Sequence, residues 1–548
     1  MRPSSDVPAP VRWPGPAAYD EWTGIVHHGS HALRTRPAGV RMPRATVWMT
    51  SAFVLVTASV VAGGLLTVTP ASRSAASGRV LSRQPGSVTT VLVGSQADAS
   101  TAIAQLLLSA APSAVVANAA SRADVTAAAG IASKAHAPLL LMSPGRDAGS
   151  QAKTLVAAIT ALHSRVVLLV GIPAALLSAG LPKVRLVTSA HALPTAVAAA
   201  PLRRVTVLVR ARRSWAATAV ATAAATTARA AGAQILQLHS YDPGTDPAAI
   251  RMLAASKPSR VVAVGARFGP PRRLAERLAV AETGVQLPGG GQVLFPMRTI
   301  VALYGHPGTP ALGALGQQDL PASIARARAV AAQYSALTRV RVIPAFEIIA
   351  TVALGSPGRT GSYSHQSSVA GLWPWVRAAS KAGLYVTLDL QPGRANLLTQ
   401  AKLYRSLLKL PNVGLALDPE WHLGPHQLPL RQIGSVGIKE VNDVVDWLAR
   451  LTAKYHLPQK LLELHEFRLT MIRDIQNLDT RHADLAIVVN MDGQGAPSTK
   501  QQTWEAVVAH APKGVFFGWK DFYVKDTPML GPQATIDHRP RPVLISYQ

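Results

Sequence analysis

Carboxylic acids end several short apolar stretches in the C-terminal half of the chain. Asp389 follows LYVTL, Glu420 follows VGLALDP, and Asp492 follows LAIVVNM. Hydrolysis of a glycosidic bond needs two carboxyl groups, one kept protonated and the other ionised. We predict that Glu420 is the general acid and that Asp492 or Asp389 is the base or nucleophile. The separation of the two groups decides between retention and inversion, so the sequence leaves this choice open.

Further polar and aromatic side chains occupy the same ends of these stretches and could bind the sugar. Aromatic rings present apolar faces on which a sugar ring can stack, while carboxylates and amides can bind hydroxyl groups. The predicted substrate-binding residues are Tyr304, His306, Glu347, Gln391, Asp418, Trp421, His465, Trp519 and Lys520.

Two other functions remain open for this half of the chain. A divalent metal ion could be held by a mixed set of nitrogen and oxygen ligands, as in barrel hydrolases; the candidates are His306, His465, Glu347, Asp389 and Asp492. The first strand carries no H-x-H or H-x-x-E pair, so we predict neither a metal nor a cofactor. The other alternative is a barrel that binds glycan without cleaving it. Ser-His-Asp catalysis is not indicated, because no G-x-S-x-G motif is present.

Residues 296–548 have the usual length of a (β/α)8 barrel and contain eight strand candidates. In such a barrel the C-terminal ends of the strands meet on one face, and alternate residues of a strand share a side. The predicted strands are Thr299–His306, Val340–Glu347, Leu384–Gln391, Val413–Glu420, Lys460–Phe467, Leu485–Asp492, Val515–Asp521 and Pro542–Gln548. The candidate site residues therefore gather at one rim.

The barrel region resembles the uncharacterised glycosidase-like barrels of actinobacterial surface proteins. The stretches that carry the resemblance are ALYGHPG, IPAFEIIATVA, LDLQPGR, GLALDPEWHL, VNMDGQG, GWKDFY and the terminal SYQ. The resemblance implies a barrel that acts on or binds polysaccharide, but it transfers no assigned reaction. The large retaining-glycosidase clan has a catalytic carboxylate at the end of strand 7. Here that strand ends in Trp519-Lys520-Asp521, and we predict that Lys520 points inward.

Residues 88–282 alternate short apolar strands with Ala-rich helices, which predicts a Rossmann-like parallel sheet covered on both faces. We divide the region into sub-units at about 88–190 and 200–282, and we read residues 283–295, rich in Gly and Pro, as a linker. No G-x-G-x-x-G opens a helix in the region, so no dinucleotide site is predicted.

The segment AVVANAASRADVTAAAGIASKAHAPLLLMSP, followed by RVVLLVG, resembles the cell-wall-binding repeat of actinobacterial and clostridial surface proteins. The resemblance covers about Val88 to Gly171, and this copy lacks the acidic, Gly-rich turn that is usual in the family. It implies non-covalent attachment to anionic wall polymers. The alternative is a plain α/β spacer.

The chain is strongly basic, with a formal net charge of +27, and the excess is uneven. Between Ala71 and Glu282 there are 23 Lys and Arg residues against 7 Asp and Glu residues. Such a charge favours anionic surroundings, although a general bias toward Arg and Ala would give the same composition. The basic residues come singly or in pairs with few aromatics nearby, so we predict no nucleic-acid partner. Cysteine is absent, which excludes disulfides and thiolate chemistry.

The N-terminal region indicates where the protein resides. Residues 45–70 carry no charge and are long enough to cross a bilayer as a helix. The arginines before this segment should keep the N-terminus cytoplasmic. We predict a disordered tail at 1–44, a membrane anchor at 45–70, a linker at 71–87, and extracellular domains after it. Secretion after cleavage of a signal peptide is the alternative. The oligomeric state is not indicated.

Overall fold

The computed structural model describes residues 78–210 and 214–548 of the chain. The predicted tail, the predicted anchor and residues 71–77 of the predicted linker lie outside the described residues. None of the helices in the described ranges combines the length and apolarity that a bilayer crossing requires.

The N-terminal part of the described chain is an α/β unit built on two parallel four-stranded sheets. Its strands are β1 (Leu81–Ser82), β2 (Thr89–Leu92), β3 (Leu108–Ala110), β4 (Ser113–Asn118), β5 (Leu139–Met142), β6 (Val166–Val170), β7 (Arg185–Val187), β8 (Val205–Val209), β9 (Gln234–Gln237) and β10 (Arg260–Val264). Its helices are α1 (Gln96–Leu107), α2 (Arg122–Ala135), α3 (Ala148–Ala161), α4 (Ala175–Ser178), α5 (Trp215–Ala230), α6 (Pro247–Ser256) and α7 (Pro271–Ala281). The prediction of parallel sheets with covering helices is confirmed.

The two sheets do not divide the chain into two consecutive halves, because the first strand of one sheet comes from the start of the unit. One sheet runs β5-β4-β6-β7 and the other β2-β10-β8-β9. Strand β2 therefore lies beside β10, with Thr89 opposite Val261, although the α/β pattern groups it with β4 to β6. Helix α5 lies between the sheets: Ala219 and Ala223 pack on one side, and Ala224 on the other. Alanine at these positions allows close approach on both faces of the helix.

The segment 283–295 is an ordered connection that contacts both the α/β unit and the barrel. The buried guanidinium of Arg298 donates hydrogen bonds to the carbonyls of Pro288, Gly290 and Val293. The backbone N–H of Gln292 donates a hydrogen bond to the Gly244 carbonyl of the α/β unit. The Gln292 carbonyl in turn accepts from the amide of Gln459 in the barrel.

The C-terminal region is a closed barrel of eight parallel strands, as predicted. The barrel strands are β11 (Arg298–Gly305), β12 (Arg341–Ala353), β14 (Tyr385–Leu390), β15 (Val413–Leu417), β17 (Lys460–His465), β19 (Leu485–Met491), β20 (Phe516–Asp521) and β21 (Leu544–Tyr547). The short strands β13 (Ser364–Gln366), β16 (Val436–Gly437) and β18 (Ile472–Arg473) lie in the connections. Pairing of β11 with both β12 and β21 closes the cylinder.

Helices cover the outside of most of the barrel. They are α8 (Leu320–Ser335), α9 (Val369–Lys381), α10 (Leu397–Leu403), α11 (Arg405–Leu408), α12 (Ile438–Lys454), α13 (Pro497–His510) and α14 (Pro532–Ile536). In the described structure the connection from β17 to β19 contains β18 and a 3-10 turn at Ile475–Asn477 in place of an α-helix.

The interior of the barrel has two layers. The layer near the N-terminal ends of the strands, called lower, is apolar, and the layer near their C-terminal ends, called upper, is polar. Ala345, Tyr385 and Leu461 pack together in the lower layer. Two or four residues further along the same strands come Glu347, Asp389, Glu463 and His465. Because side chains of a strand alternate between its two faces, these polar residues point into the barrel above the apolar layer.

Candidate functional site

One buried polar group in the barrel, here called the inner cluster, consists of Glu347, Glu463 and His465. All three side chains are fully buried. The His465 Nε2 atom lies 3.0 Å from Glu347 Oε1 and 3.5 Å from Glu463 Oε1. The Asn490 amide group donates a 2.6 Å hydrogen bond to Glu463 Oε1.

A second group, the outer cluster, consists of Asp418, Glu420 and Asp492. One carboxylate oxygen from each residue lies within 4.8 Å of the other two. Asp418 follows β15, Glu420 lies in the 3-10 turn Pro419–Trp421, and Asp492 follows β19. Asp418 and Asp492 are buried, whereas Glu420 is partly exposed. His465 joins the two clusters, because its Nδ1 atom lies 2.9 Å from Asp492 Oδ2.

Tyr304 contacts three further predicted site residues, Asp389, Gln391 and Lys520, at the mouth of the barrel, the end at which the C-terminal ends of its strands meet. Its hydroxyl donates a 3.0 Å hydrogen bond to Asp389 Oδ2 and accepts one of 3.2 Å from the Gln391 amide group. The ammonium nitrogen of Lys520 lies 3.3 Å from the centre of the Tyr304 ring, where the negative face of the ring stabilises the cation. Lys520 thus brings one positive charge to an acidic mouth.

Burial and mutual repulsion raise the pKa values of the carboxyl groups. Burial, followed by the charge of Asp492, raises the pKa of Glu420 to about 7, although Lys520, Lys525 and His465 oppose this shift. Burial raises the pKa of Asp389 to about 6, with His465 opposing. Near neutral pH a large fraction of Glu420 therefore keeps its proton, while Asp389 is mostly ionised.

The pKa of His465 is shifted in opposite directions by burial and by the neighbouring carboxylates. Burial lowers the pKa of His465, but Asp492, Glu347 and Glu463 outweigh it, so that the net shift is well above the ordinary value. In the part of the chain that the structure describes, His465 is the only basic side chain within 4.0 Å of these three carboxylates. Among the described residues no arginine pairs with these carboxylates, so oxygens such as Asp492 Oδ1 and Glu463 Oε2 have no protein partner there.

The structure brings most of the predicted site residues to this one mouth. The group comprises Glu420, Asp492, Asp389, Tyr304, Glu347, Gln391, Asp418, His465 and Lys520. Trp421 is partly exposed in the same turn as Glu420.

Two predicted residues lie elsewhere. Trp519 is fully buried on the opposite face of β20, with its ring 5.7 Å from that of Trp504 and 3.9 Å from that of His538. Adjacent strand residues face opposite sides, so Lys520 takes the inward direction and Trp519 offers no face to a sugar. His306 contacts Thr309 Oγ1 and Ser367 Oγ, each at 3.1 Å. Within the described chain it is not part of any group that could ligate a metal together.

Three polar residues of the mouth were not predicted as site residues. Glu463 and Asn490 lie two residues before His465 and Asp492, so alternation along each strand places them on the same faces as those residues, although it assigns them no role. Glu466 follows β17, and burial, together with the charge of Asp492, raises its pKa to about 8.

No protein family model and no curated protein matches the chain. The resemblances to wall-binding repeats and to glycosidase-like barrels therefore remain expectations.

Proposed function

We propose that the barrel hydrolyses a glycosidic bond in a polysaccharide, with Glu420 as general acid and base and Asp492 as nucleophile. The observation that carries the proposal is the close pairing of these two carboxyl groups in unlike environments. Glu420 is partly exposed and its pKa is raised to about 7, whereas Asp492 accepts a hydrogen bond from His465. One group is therefore suited to donate a proton and the other to react as an anion.

The distance between the two groups favours retention of configuration. Their nearest oxygens are within 4.8 Å. Retaining glycosidases hold their carboxyl groups about 5–5.5 Å apart, whereas inverting enzymes need about 6.5–9.5 Å to accommodate a water molecule. A nearest-oxygen separation of at most 4.8 Å is closer to the first arrangement than to the second.

The position of Asp492 suits attack on the anomeric carbon. Its Oδ2 atom is held at 2.9 Å from His465 Nδ1, and its Oδ1 atom has no hydrogen-bond partner in the described structure. Asp492 Oδ1 would bond to the anomeric carbon while Glu420 transfers its proton to the departing glycosidic oxygen. Water would then attack the same carbon, giving a proton to Glu420 and releasing Asp492 as a carboxylate.

The charge of the mouth restricts the sugar that it would accept. Acidic side chains outnumber the basic side chains Lys520, Lys525 and His465 there, so an anionic sugar would add to the repulsion that already raises the pKa values of Glu420 and Asp389. A neutral sugar or an amino sugar at the cleavage point fits this electrostatic environment. The partly exposed ring of Trp421, next to Glu420, could stack on the neighbouring sugar.

The proposal is tested by incubating the full-length protein in detergent with neutral, amino-sugar and uronic-acid polysaccharides and measuring newly formed reducing ends. We expect release from a neutral or amino-sugar polymer and none from the polyuronic acid. Binding of a neutral polymer without any reducing ends would instead establish the non-catalytic glycan-binding alternative.

We also propose that the α/β unit associates with anionic wall polymers outside the cell. The apolar segment 45–70 would anchor the chain in the cell membrane. Exposed arginines and lysines with few acidic neighbours support this; examples are Arg122, Lys134, Arg146, Lys153, Arg165, Arg203, Arg251 and Arg273. Among the described residues of this unit, Arg272 pairs with Glu276 and Arg277 lies 3.9 Å from Asp242. Most of the positive charge is therefore available to an external polyanion.

Wall association predicts sedimentation with cell walls that depends on charge and salt. The full-length protein should pellet with walls that contain their anionic polymers, and raising the salt concentration to about 1 M should release it because exposed charges are then screened. Replacing Arg203, Arg251 and Arg273 with Ser should weaken the binding. Unchanged pelleting after removal of the anionic polymers would contradict the proposal.

A further inference from the structure

We propose that the inner cluster of Glu347, Glu463 and His465 binds one divalent transition-metal ion beneath the catalytic pair. This site goes beyond the proposed hydrolysis, since none of its three ligands is the proposed acid or nucleophile. Its nearest link to the reaction is His465, which contacts Asp492.

The orientation of His465 is the first argument. Its Nδ1 atom faces Asp492 Oδ2 at 2.9 Å, which directs the Nε2 atom toward the two glutamates. A histidine that binds a metal through one ring nitrogen commonly donates the other N–H to a carboxylate, which fixes the tautomer and the direction of the ring. Asp492 has this relation to His465.

Distances within the cluster are the second argument. Two ligand atoms that each lie about 2.1 Å from one ion are about 3.0 Å apart at right angles and about 3.4 Å apart in a tetrahedron. The His465 Nε2 atom is 3.0 Å from Glu347 Oε1 and 3.5 Å from Glu463 Oε1. The Nε2 atom is completely buried, and these two glutamate oxygens are its polar contacts. These two distances match the spacing of ligands around a shared centre, and each of the three residues offers a ligand atom within 4.8 Å of the other two.

Unpartnered buried oxygens are the third argument. The Oε2 atoms of Glu347 and Glu463 have no hydrogen-bond partner in the described structure, and the polar contact of Glu347 Oε1 is the one with His465. A buried carboxylate is costly unless it is paired, hydrogen-bonded or bound to a metal. A divalent cation among these oxygens would offset the charge of both glutamates. Protons on His465 and on one glutamate are the competing solution, and the experiment below separates the two.

The ligand chemistry selects the class of ion. One imidazole with two carboxylates suits Mn²⁺ or Zn²⁺, whereas Ca²⁺ favours six to eight oxygen ligands. The outer cluster of Asp418, Glu420 and Asp492 offers only carboxylate oxygens and is the competing location for an ion. A nitrogen ligand therefore distinguishes the inner site from the outer one.

The test is direct metal binding by the full-length protein in detergent, stripped with a chelator and titrated with Mn²⁺ in the absence of any glycan. We expect about one tightly bound ion per chain and a higher unfolding temperature when the ion is present. Pulsed electron paramagnetic resonance of the bound Mn²⁺ should show coupling to a single histidine nitrogen. Oxygen-only coordination, or no binding at all, would overturn the proposal.

Two matched variants locate the ion. Glu347→Gln keeps the shape of the side chain and removes a ligand charge, so it should weaken Mn²⁺ binding by about 100-fold. Asp418→Asn makes the same change in the outer cluster and should weaken binding only a few-fold. Equal effects of the two variants, or a larger effect of Asp418→Asn, would contradict the inner site.

Failure of this proposal can be told apart from failure of the proposed function. If the stripped protein binds no Mn²⁺ but still releases reducing ends, only the metal site is withdrawn. If the protein binds one ion through a histidine but cleaves none of the polysaccharides, the metal site stands and the hydrolysis is withdrawn.

Discussion

Glu420→Gln is expected to lower the rate of polysaccharide hydrolysis by about 10²–10⁴-fold, the usual contribution of a general acid. The amide fills nearly the same volume but cannot donate a proton to the leaving oxygen. In the unsubstituted protein the rate should fall as pH rises through about 7, because Glu420 then loses its proton. The groups whose charges set this pKa are Asp492, Lys520, Lys525 and His465. The measurement is the pH profile of reducing-end release by the two proteins.

Two controls make the Glu420 result specific. Glu505→Gln, at an exposed position on α13, should leave the rate unchanged. An aryl glycoside whose phenol leaves readily needs little protonation, so its first step should be much less affected by Glu420→Gln than polysaccharide cleavage. If Glu420→Gln hydrolysed the polysaccharide at the full rate, the assignment of the acid would be wrong.

Asp492→Asn should abolish hydrolysis almost completely, with a loss of about 10⁴-fold or more, as expected when a nucleophile is removed. The amide oxygen can still accept the hydrogen bond from His465, so the change removes the nucleophile and leaves the arrangement of the site largely intact. The measurement is reducing-end release together with binding of the glycan, which should persist.

The Asp389→Asn variant distinguishes between Asp492 and Asp389, which the sequence leaves open as the base or nucleophile that acts with Glu420. Asp389 is fully buried and accepts a hydrogen bond from Tyr304, which suits a positioning role. We expect the hydrolysis rate of this variant to fall by only about tenfold, since the neutral amide can still accept the hydrogen bond from Tyr304. A small loss in Asp492→Asn together with a complete loss in Asp389→Asn would reverse the assignment.

The barrel could be predicted from the sequence because each strand combines an apolar run with a polar end. Strands such as Leu384–Gln391 and Leu485–Asp492 contain both signals, and the structure has a barrel strand at each. The inward direction of Lys520 also followed from alternation. Applied to its neighbour, the same rule excludes Trp519, which is aromatic but lies among Trp504 and His538.

Other features depend on contacts that sequence patterns do not encode. Strand β2 joins β10 through a pairing between Thr89 and Val261, far apart in the chain. The link from His465 to both Glu347 and Asp492 depends on the positions of three strands around a closed cylinder. Local periodicity shows which side chains point inward, but the relative heights of the strands decide which of them meet.

The most direct test of the catalytic pair is peptide mass spectrometry of Glu420→Gln protein after reaction with an activated aryl glycoside of the sugar that the enzyme releases. With an effective leaving group the first step should proceed, while the second should be slow without its base. The account predicts that the sugar becomes attached to the peptide that contains Asp492. Attachment to another carboxylate, or release of sugar of inverted configuration without any attachment, would contradict it.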